Sequence, residues 1–297
     1  MRAHALVFVA NRDDKPAYRE ALLMLGRVAF SRKLTPPTVL SGWEAAEWIY
    51  PERDSELHQE AAAAVAEIPV DWVLAPLEGR RKRLLVADMD STIIGCECLD
   101  ELADFAGVKP EIAAITDRAM RGELEFEPAL VERVSKLKGL SVDALQRCYD
   151  QRVALNPGAE TLVKTMAMHG ARCVLVSGGF TFFTSRVAAA AGFHGHFANT
   201  LLDDGNTLTG EVAQPILGRQ AKLAALQQEA AACKASTQEV LAIGDGANDL
   251  DMIKAAGLGV AYRAKPIVAE KAGAQIEHTS LATALFFQGY PRSEFAP

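Results

Sequence analysis

The strongest constraint on this fold is a four-residue apolar run, Leu84-Leu-Val-Ala87, that ends at a carboxylate, Asp88. An unbroken apolar run bounded by polar residues marks a strand buried on both faces, and such strands belong to parallel sheets. The pattern recurs: Cys173-Val-Leu-Val176 ends at Ser177, and Val240-Leu-Ala-Ile243 ends at Gly244-Asp245. Helical periodicities over 157–169, 180–191 and 217–233 separate the runs. This alternation predicts an α/β fold, a parallel sheet with helices on both faces. The stretch 99–153 is helix-rich and too long for a simple crossover, so it reads as an inserted helical cap.

The first 80 residues have a different rhythm. The pattern predicts strands at 5–10, 39–40 and 70–74 and helices at 15–30 and 55–67, a small α+β domain. The basic run Gly79-Arg-Arg-Lys-Arg83 reads as a solvated joint between domains over 1–80 and 81–297 rather than as a nucleic-acid patch. Two domains suit a length of 297 residues.

Several partners are excluded. A net charge of −7 leaves no broad basic face for nucleic acid. No stretch approaches the roughly 20 apolar residues of a membrane span. The first apolar run is too short for a secretory signal core. Five scattered cysteines with no CxxC pair fit small core hydrophobes in a cytoplasmic protein.

In an open α/β sheet, ligands bind at the carboxyl ends of strands near a topological switch point. All three runs end there in polar residues: Asp88-Met-Asp90-Ser-Thr92, Ser177-Gly-Gly179 and Gly244-Asp-Gly-Ala-Asn-Asp249. One carboxylate at a strand end is commonly a helix cap. Four converging from two strands raise one another's pKa unless a cation shares the crevice, and an oxygen-only donor set suits Mg²⁺. At Ser177-Gly-Gly179 the chain leaves a strand and opens a helix, so backbone N–H groups can face a phosphate. An ordinary strand-to-helix turn is the plainer alternative. Other phosphate or nucleophile motifs fail, since GxxxxGK[ST] and GxSxG are absent and Gly244-Asp-Gly246 lacks a third glycine.

DMDST (88–92), the Ser177 strand end, a downstream lysine (Lys222) and GDGAND (244–249) occur in order. With the contexts VADMDSTIIGCECLDELA, AMRGELEFEPALVERVSKLKG and VLVSGGFT, the chain from about 84 to 290 resembles the haloacid-dehalogenase superfamily of phosphatases. The resemblance implies a Rossmann-like sheet with a helical cap, and a role for each matching residue. Asp88 is then the nucleophile and Asp90 the acid–base. Mg²⁺ is held by Asp88, the Asp90 backbone carbonyl and Asp245, with Asp249 orienting these or ligating directly. Ser177, the Gly178 N–H and Lys222 hold phosphoryl oxygens, supported by Gly179. On its own, Lys222 would read as a surface lysine.

By the same resemblance Glu97 receives an ammonium, Arg133 a carboxylate, and Asn248 adds a contact. Met120 and Phe126 close the lid, although packing within the cap suits them nearly as well. The implied substrate is O-phosphoserine, giving L-serine at the last step of its biosynthesis. Another small phosphomonoester, phosphoethanolamine or phosphohomoserine, is the alternative. A non-catalytic amino-acid-binding regulator is a third reading, against which the intact Asp88 and Asp90 speak. In pattern and position the first domain resembles an ACT-like module. A homodimer through it is favoured over amino-acid sensing, and neither role is the remaining outcome.

Overall fold

A computed structural model describes residues 3–34, 36–51, 55–120 and 123–297, without the side chains of Ser55 and Met120. Its first part runs β1 (His4–Ala10), α1 (Lys15–Ser31), β2 (Thr38–Ser41), β3 (Ala45–Tyr50), α2 (Ser55–Val65) and β4 (Val70–Pro76). The strands form an antiparallel sheet in the order β2-β3-β1-β4, two interleaved split βαβ units. Asp14 caps α1 by accepting from the Ala17 N–H, and Pro16 suits the first turn because its missing donor is not needed there. The helix then buries Ala17, Tyr18, Ala21, Leu25 and Ala29 against Phe8 and Trp48 of the sheet. The sequence pattern had not marked β3. Its residues AAEWIY are buried apart from Ile49, so no alternation is visible, and Glu47 interrupts the apolar run.

Every residue of β1 is buried, because both faces of this sheet are covered. Leu6 and Phe8 face the helices, while Ala5, Val7 and Val9, with Val73 and Ala75, join the core of the larger sheet. The expected solvated joint is therefore corrected at Arg80 and Lys82, while Gly79, Arg81 and Arg83 are exposed as expected. Arg80 is buried, lies 2.7 Å from Glu47, and donates to the carbonyls of Phe286 and Phe287. Lys82 is buried too, with its ammonium on the carbonyls of Gly79 and Gln238. Buried cations persist when they are paired and hydrogen-bonded, and here every partner but Gly79 lies far away in sequence. Asp71, from β4, accepts the backbone N–H groups of Glu277, His278 and Thr279.

The second part begins with β5 (Leu84–Ala87), followed by the cap helices α3 (Cys98–Ala106), α4 (Lys109–Met120), α5 (Phe126–Ser135) and α6 (Val142–Arg152). A bridge between Ile94 and Leu155 ties the two chain segments entering and leaving the cap. The chain continues through α7 (Ala159–Met168), β6 (Arg172–Phe180), α8 (Thr181–Ala191), β7 (Gly195–Asn199) and a hairpin of β8 (Leu201–Asp203) and β9 (Leu208–Val212). It ends with α9 (Arg219–Ala232), β10 (Val240–Gly244), α10 (Leu250–Ala255), β11 (Leu258–Tyr262), α11 (Pro266–Ala269), β12 (Ala274–Ile276) and α12 (Thr283–Phe287). All pairs in the six-stranded sheet, ordered β12-β11-β10-β5-β6-β7, are parallel. The three apolar runs are the central strands β10, β5 and β6. From β5 the chain first builds towards β6 and later returns to add β10 on the other side, so the sheet switches direction at the end of β5.

Candidate active site

Asp88 extends the β5 ladder by one rung, its N–H donating to Ile243 O at 2.9 Å. The chain then turns within Met89–Ile93, a wide turn closed by the Ile94 N–H on Met89 O, in which Asp90 is extended and Ser91 has φ +55°. A non-glycine residue in the left-handed region costs of order 1 kcal/mol and persists only where its surroundings hold it. Here Ser91 N–H donates to Cys96 O, and its hydroxyl donates to Glu97 Oε1 at 2.6 Å. The turn sends the Asp88 and Asp90 carboxylates to different partners.

Asp88 Oδ1 lies 2.7 Å from Lys222 Nζ, and the same ammonium lies 2.6 Å from Asp249 Oδ1. Lys222 is only 1% exposed, so the surface-lysine alternative falls. It reaches the site from the first turn of α9. Asp249 Oδ2 accepts the Gly246 N–H, and Asp245 Oδ1 accepts the Thr92 hydroxyl. Oxygens of Asp88, Asp245 and Asp249 lie within 4.8 Å of one another. Three carboxylates facing one ammonium leave excess negative charge in a buried crevice, which a hard divalent cation fits by donor type and charge.

Asp90 points elsewhere. Its Oδ1 accepts the Cys98 N–H at 2.9 Å, at the start of α3, and its Oδ2 accepts the Ser177 hydroxyl at 3.1 Å. Ser177 in turn accepts the Gly179 N–H. A Cβ on Gly179 would stand 2.8 Å from Asp90 Oδ2, so glycine is required by close approach.

Burial is the main force on these acids. It pushes Asp88 well above the usual carboxylate range, reinforced by Asp249 and opposed by Lys222. It also raises Asp90, against the Cys98 and Ser177 hydrogen bonds, and raises Asp245 with help from Asp249. Burial alone would discharge Lys222, but Asp249 and Asp88 outweigh it and hold its pKa above the ordinary value.

The cap supplies a second group. Glu97 stands just ahead of α3 and has its pKa pushed up to about 7 by burial and by the charge of Asp90. Arg133, on α5, is half-buried; burial lowers its pKa, while the nearby charges of Asp100 and Glu97 oppose that shift. Arg133 thus senses the charge of Glu97, and Glu97 in turn senses Asp90 and Asp245 of the carboxylate crevice. Phe126 begins α5 and sets its ring against Gly178 and Gly218. Asn248 is half-buried in the turn before α10. Met120 ends α4, and its side chain lies outside the described residues.

Three further residues support the site, of which Asn156 and Asn199 are not singled out by the sequence. Thr92 holds Asp245, Asn156 donates to Thr92 O at 2.8 Å, and Asn199 donates to Gly178 O at 2.8 Å. Thr92 closes the string that follows the apolar strand β5, whereas Asn199 ends β7, a strand with no apolar run to mark it.

A family model of haloacid dehalogenase-like hydrolases matches residues 85–254. A phosphoserine phosphatase of Archaeoglobus fulgidus is 40% identical over 233 residues, covering 77% of this chain and 67% of that one. One from Streptomyces coelicolor is 43% identical over 238 residues, covering 80% of this chain and 57% of its own length, so this chain spans little more than half of that relative. Among solved structures, a probable phosphoserine phosphatase from Vibrio cholerae aligns with a TM-score of 0.78 at 30% identity, covering 98% of this chain and 88% of that one. The chain belongs to the haloacid dehalogenase-like hydrolases.

Proposed function

We propose that this chain is a Mg²⁺-dependent phosphoserine phosphatase that releases L-serine and phosphate from O-phosphoserine, the last step of serine biosynthesis. The observation that carries this reading is the buried Lys222 bridging Asp88 and Asp249 at the switch point, with Asp245 completing the acid cluster. The relatives named phosphoserine phosphatase support the choice of substrate.

Asp88 attacks phosphorus in line, forming a phosphorus–oxygen bond as the bond to the serine oxygen breaks. Asp90, whose raised pKa favours the protonated form, donates its proton to the leaving serine oxygen. It then takes a proton from the water that attacks the aspartyl-phosphate, which restores Asp88 and frees phosphate. Ser177, the Gly178 N–H and Lys222 meet the phosphoryl oxygens, where charge accumulates in the transition state. Asp88, Asp245 and the Asp90 backbone carbonyl would hold Mg²⁺, with Asp249 beside them. When bound, the ion offsets the repulsion between the phosphate and its carboxylate attacker.

Glu97 meets the substrate ammonium and Arg133 its carboxylate, in a bidentate contact that lysine does not provide. Asn248 adds a polar contact, and Phe126 with Met120 closes the lid over the site. The first 80 residues act as an ACT-like association domain, the remainder as the phosphatase domain with its cap over 99–153. One sheet face of the first domain is covered by the second, so a homodimer would use the outer sides of α1 and α2 or the β2 edge. Phe30 and Val39 are exposed there.

Phosphate release from O-phosphoserine, phosphothreonine and phosphoethanolamine, measured with and without Mg²⁺, tests the reading. O-phosphoserine should lead by at least about tenfold, and only with the ion present. Equal release from all three would remove the substrate assignment.

A further inference from the structure

Strands β6 and β7 pair as far as Val176 opposite Phe197 and resume with Phe180 opposite Asn199. Between those rungs Ser177-Gly178-Gly179 bulge out of the ladder. Asn199 stands at the far side of the bulge and is 3% exposed. Its Nδ2 donates to Gly178 O at 2.8 Å and to Leu217 O at 3.2 Å, while its Oδ1 accepts the Leu217 N–H at 2.7 Å. The carboxamide pairs with Leu217 as one peptide group pairs with another, and its remaining N–H reaches the loop. Both donors face carbonyls and the acceptor faces an N–H, so the flipped amide would set oxygen against two carbonyl oxygens.

Leu217 and Gly218 lead directly into α9, and Gly218 O accepts the Lys222 N–H at 3.3 Å. A single buried side chain therefore joins the Gly178 loop to the helix that carries Lys222. Phe126 spans the same two segments. A Cβ on Gly178 would come within 3.2 Å of its ring, and one on Gly218 within 3.1 Å.

We propose that Asn199 is a positioning residue for phosphoryl transfer, fixing the spacing between the Gly178 loop and the first turn of α9. The inference rests on Ser177, Gly178 and Lys222 being the phosphoryl receptor. Such a receptor stabilises developing charge only if its donors are in place before the reaction, and a displacement of about 1 Å costs on the order of a hundredfold in rate. Glu97 and Arg133 grip the rest of the substrate from the cap, far from Leu217 in the chain. Loss of the clamp should therefore appear in kcat more than in KM.

The test uses Asn199→Ser and Asn199→Asp in the full chain, with O-phosphoserine and p-nitrophenyl phosphate as substrates and orthovanadate as a phosphoryl analogue. Asn199→Asp keeps the shape and removes both donors, and Asn199→Ser controls for the added charge. We expect kcat to fall about ten- to a hundredfold in both, KM for O-phosphoserine to stay within about threefold, and vanadate affinity to fall in step with kcat. Lower Tm with kcat and vanadate affinity within about twofold of the unsubstituted chain would mean a structural role only, and overturns the proposal.

Hydrolysis of p-nitrophenyl phosphate but not O-phosphoserine by the unsubstituted chain removes the substrate reading, and the clamp is then decided on the former. No turnover of either removes the receptor reading and the clamp with it. Should both variants fail to fold, amide exchange in the unsubstituted chain decides. Gly178 and Leu217 should slow together when beryllofluoride binds with Mg²⁺, and slowing of Gly178 alone overturns the proposal.

Discussion

Each sheet is built on a wholly buried strand, β1 in one and β5 in the other, and the two sheets use their strand ends differently. In the antiparallel sheet, neighbouring strands run in opposite directions, so each rim mixes strand beginnings with strand ends. In the parallel sheet every carboxyl end falls on one rim, where Asp88, Ser177 and Asp245 meet. A buried central strand therefore yields packing in one region and a site for chemistry in the other. Where polar groups are buried in the first sheet, as at Glu47 and Asp71, they tie it to its neighbour.

The widest gap between the regions should come from Asp88→Asn. Phosphate release should fall by at least about 10⁴-fold while circular dichroism stays native, as expected when a nucleophile is lost from an intact scaffold. The counterpart in the first sheet is Asp71→Ala, which removes the acceptor of three backbone N–H groups and of the buried Thr279 hydroxyl. It should lower stability by about 3 kcal/mol in urea melts and leave kcat within about twofold. A large loss of kcat there would erase the contrast. Deleting residues 1–80 is a poorer probe of association, because it uncovers the apolar face that packs on β1 and β4, and aggregation is its expected result.

Smaller effects sharpen the comparison within the parallel sheet and its cap. Arg133→Ala should raise KM for O-phosphoserine about tenfold or more and leave KM for phosphoethanolamine nearly unchanged, since only the former carries a carboxylate. Equal losses would remove Arg133 from substrate recognition.

Glu97 gives the mildest signal. With its pKa pushed up to about 7, it should lose charge as pH falls from about 8 to about 6, and KM for O-phosphoserine should rise over that window. Glu97→Gln should raise KM at the upper end and flatten the profile. For stability the sign is opposite to that of a salt-bridged acid. The folded-state value lies above the ordinary 4.5, so folding favours the protonated form, and stability from this group falls as pH rises between 4.5 and about 7. Glu97 is crowded by surrounding protein yet keeps part of its surface in solvent, which tempers the effect, so Glu97→Gln should raise Tm only slightly above neutral pH.

Much of the site was legible because its chemistry sits in contiguous strings: an apolar run followed at once by Asp88, Ser177 or Asp245. The cap was legible as an excess of helix between two strands. What escaped depends on distant partners. Arg80 and Lys82 looked like solvent charges because Glu47, Phe286, Phe287 and Gln238 are remote in sequence. Strand β3 lacked alternation because both its faces are covered. Asn199 and Asn156 act through hydrogen bonds to the backbone of distant loops, which leave no periodic trace. The departure of the chain from strand geometry at Met89–Ile93 was invisible for another reason, since serine rarely adopts φ +55°.

The bonds from Asp71 to Glu277, His278 and Thr279 join residues more than 200 positions apart. During synthesis, the first sheet is made early yet cannot cover its second face until the last helices leave the ribosome. Such long-range closure slows folding and leaves nascent apolar surface waiting. Folding should accordingly depend on holdase chaperones more than on catalytic-domain stability, and ribosome stalling before residue 274 should leave the amino-terminal segment sensitive to protease.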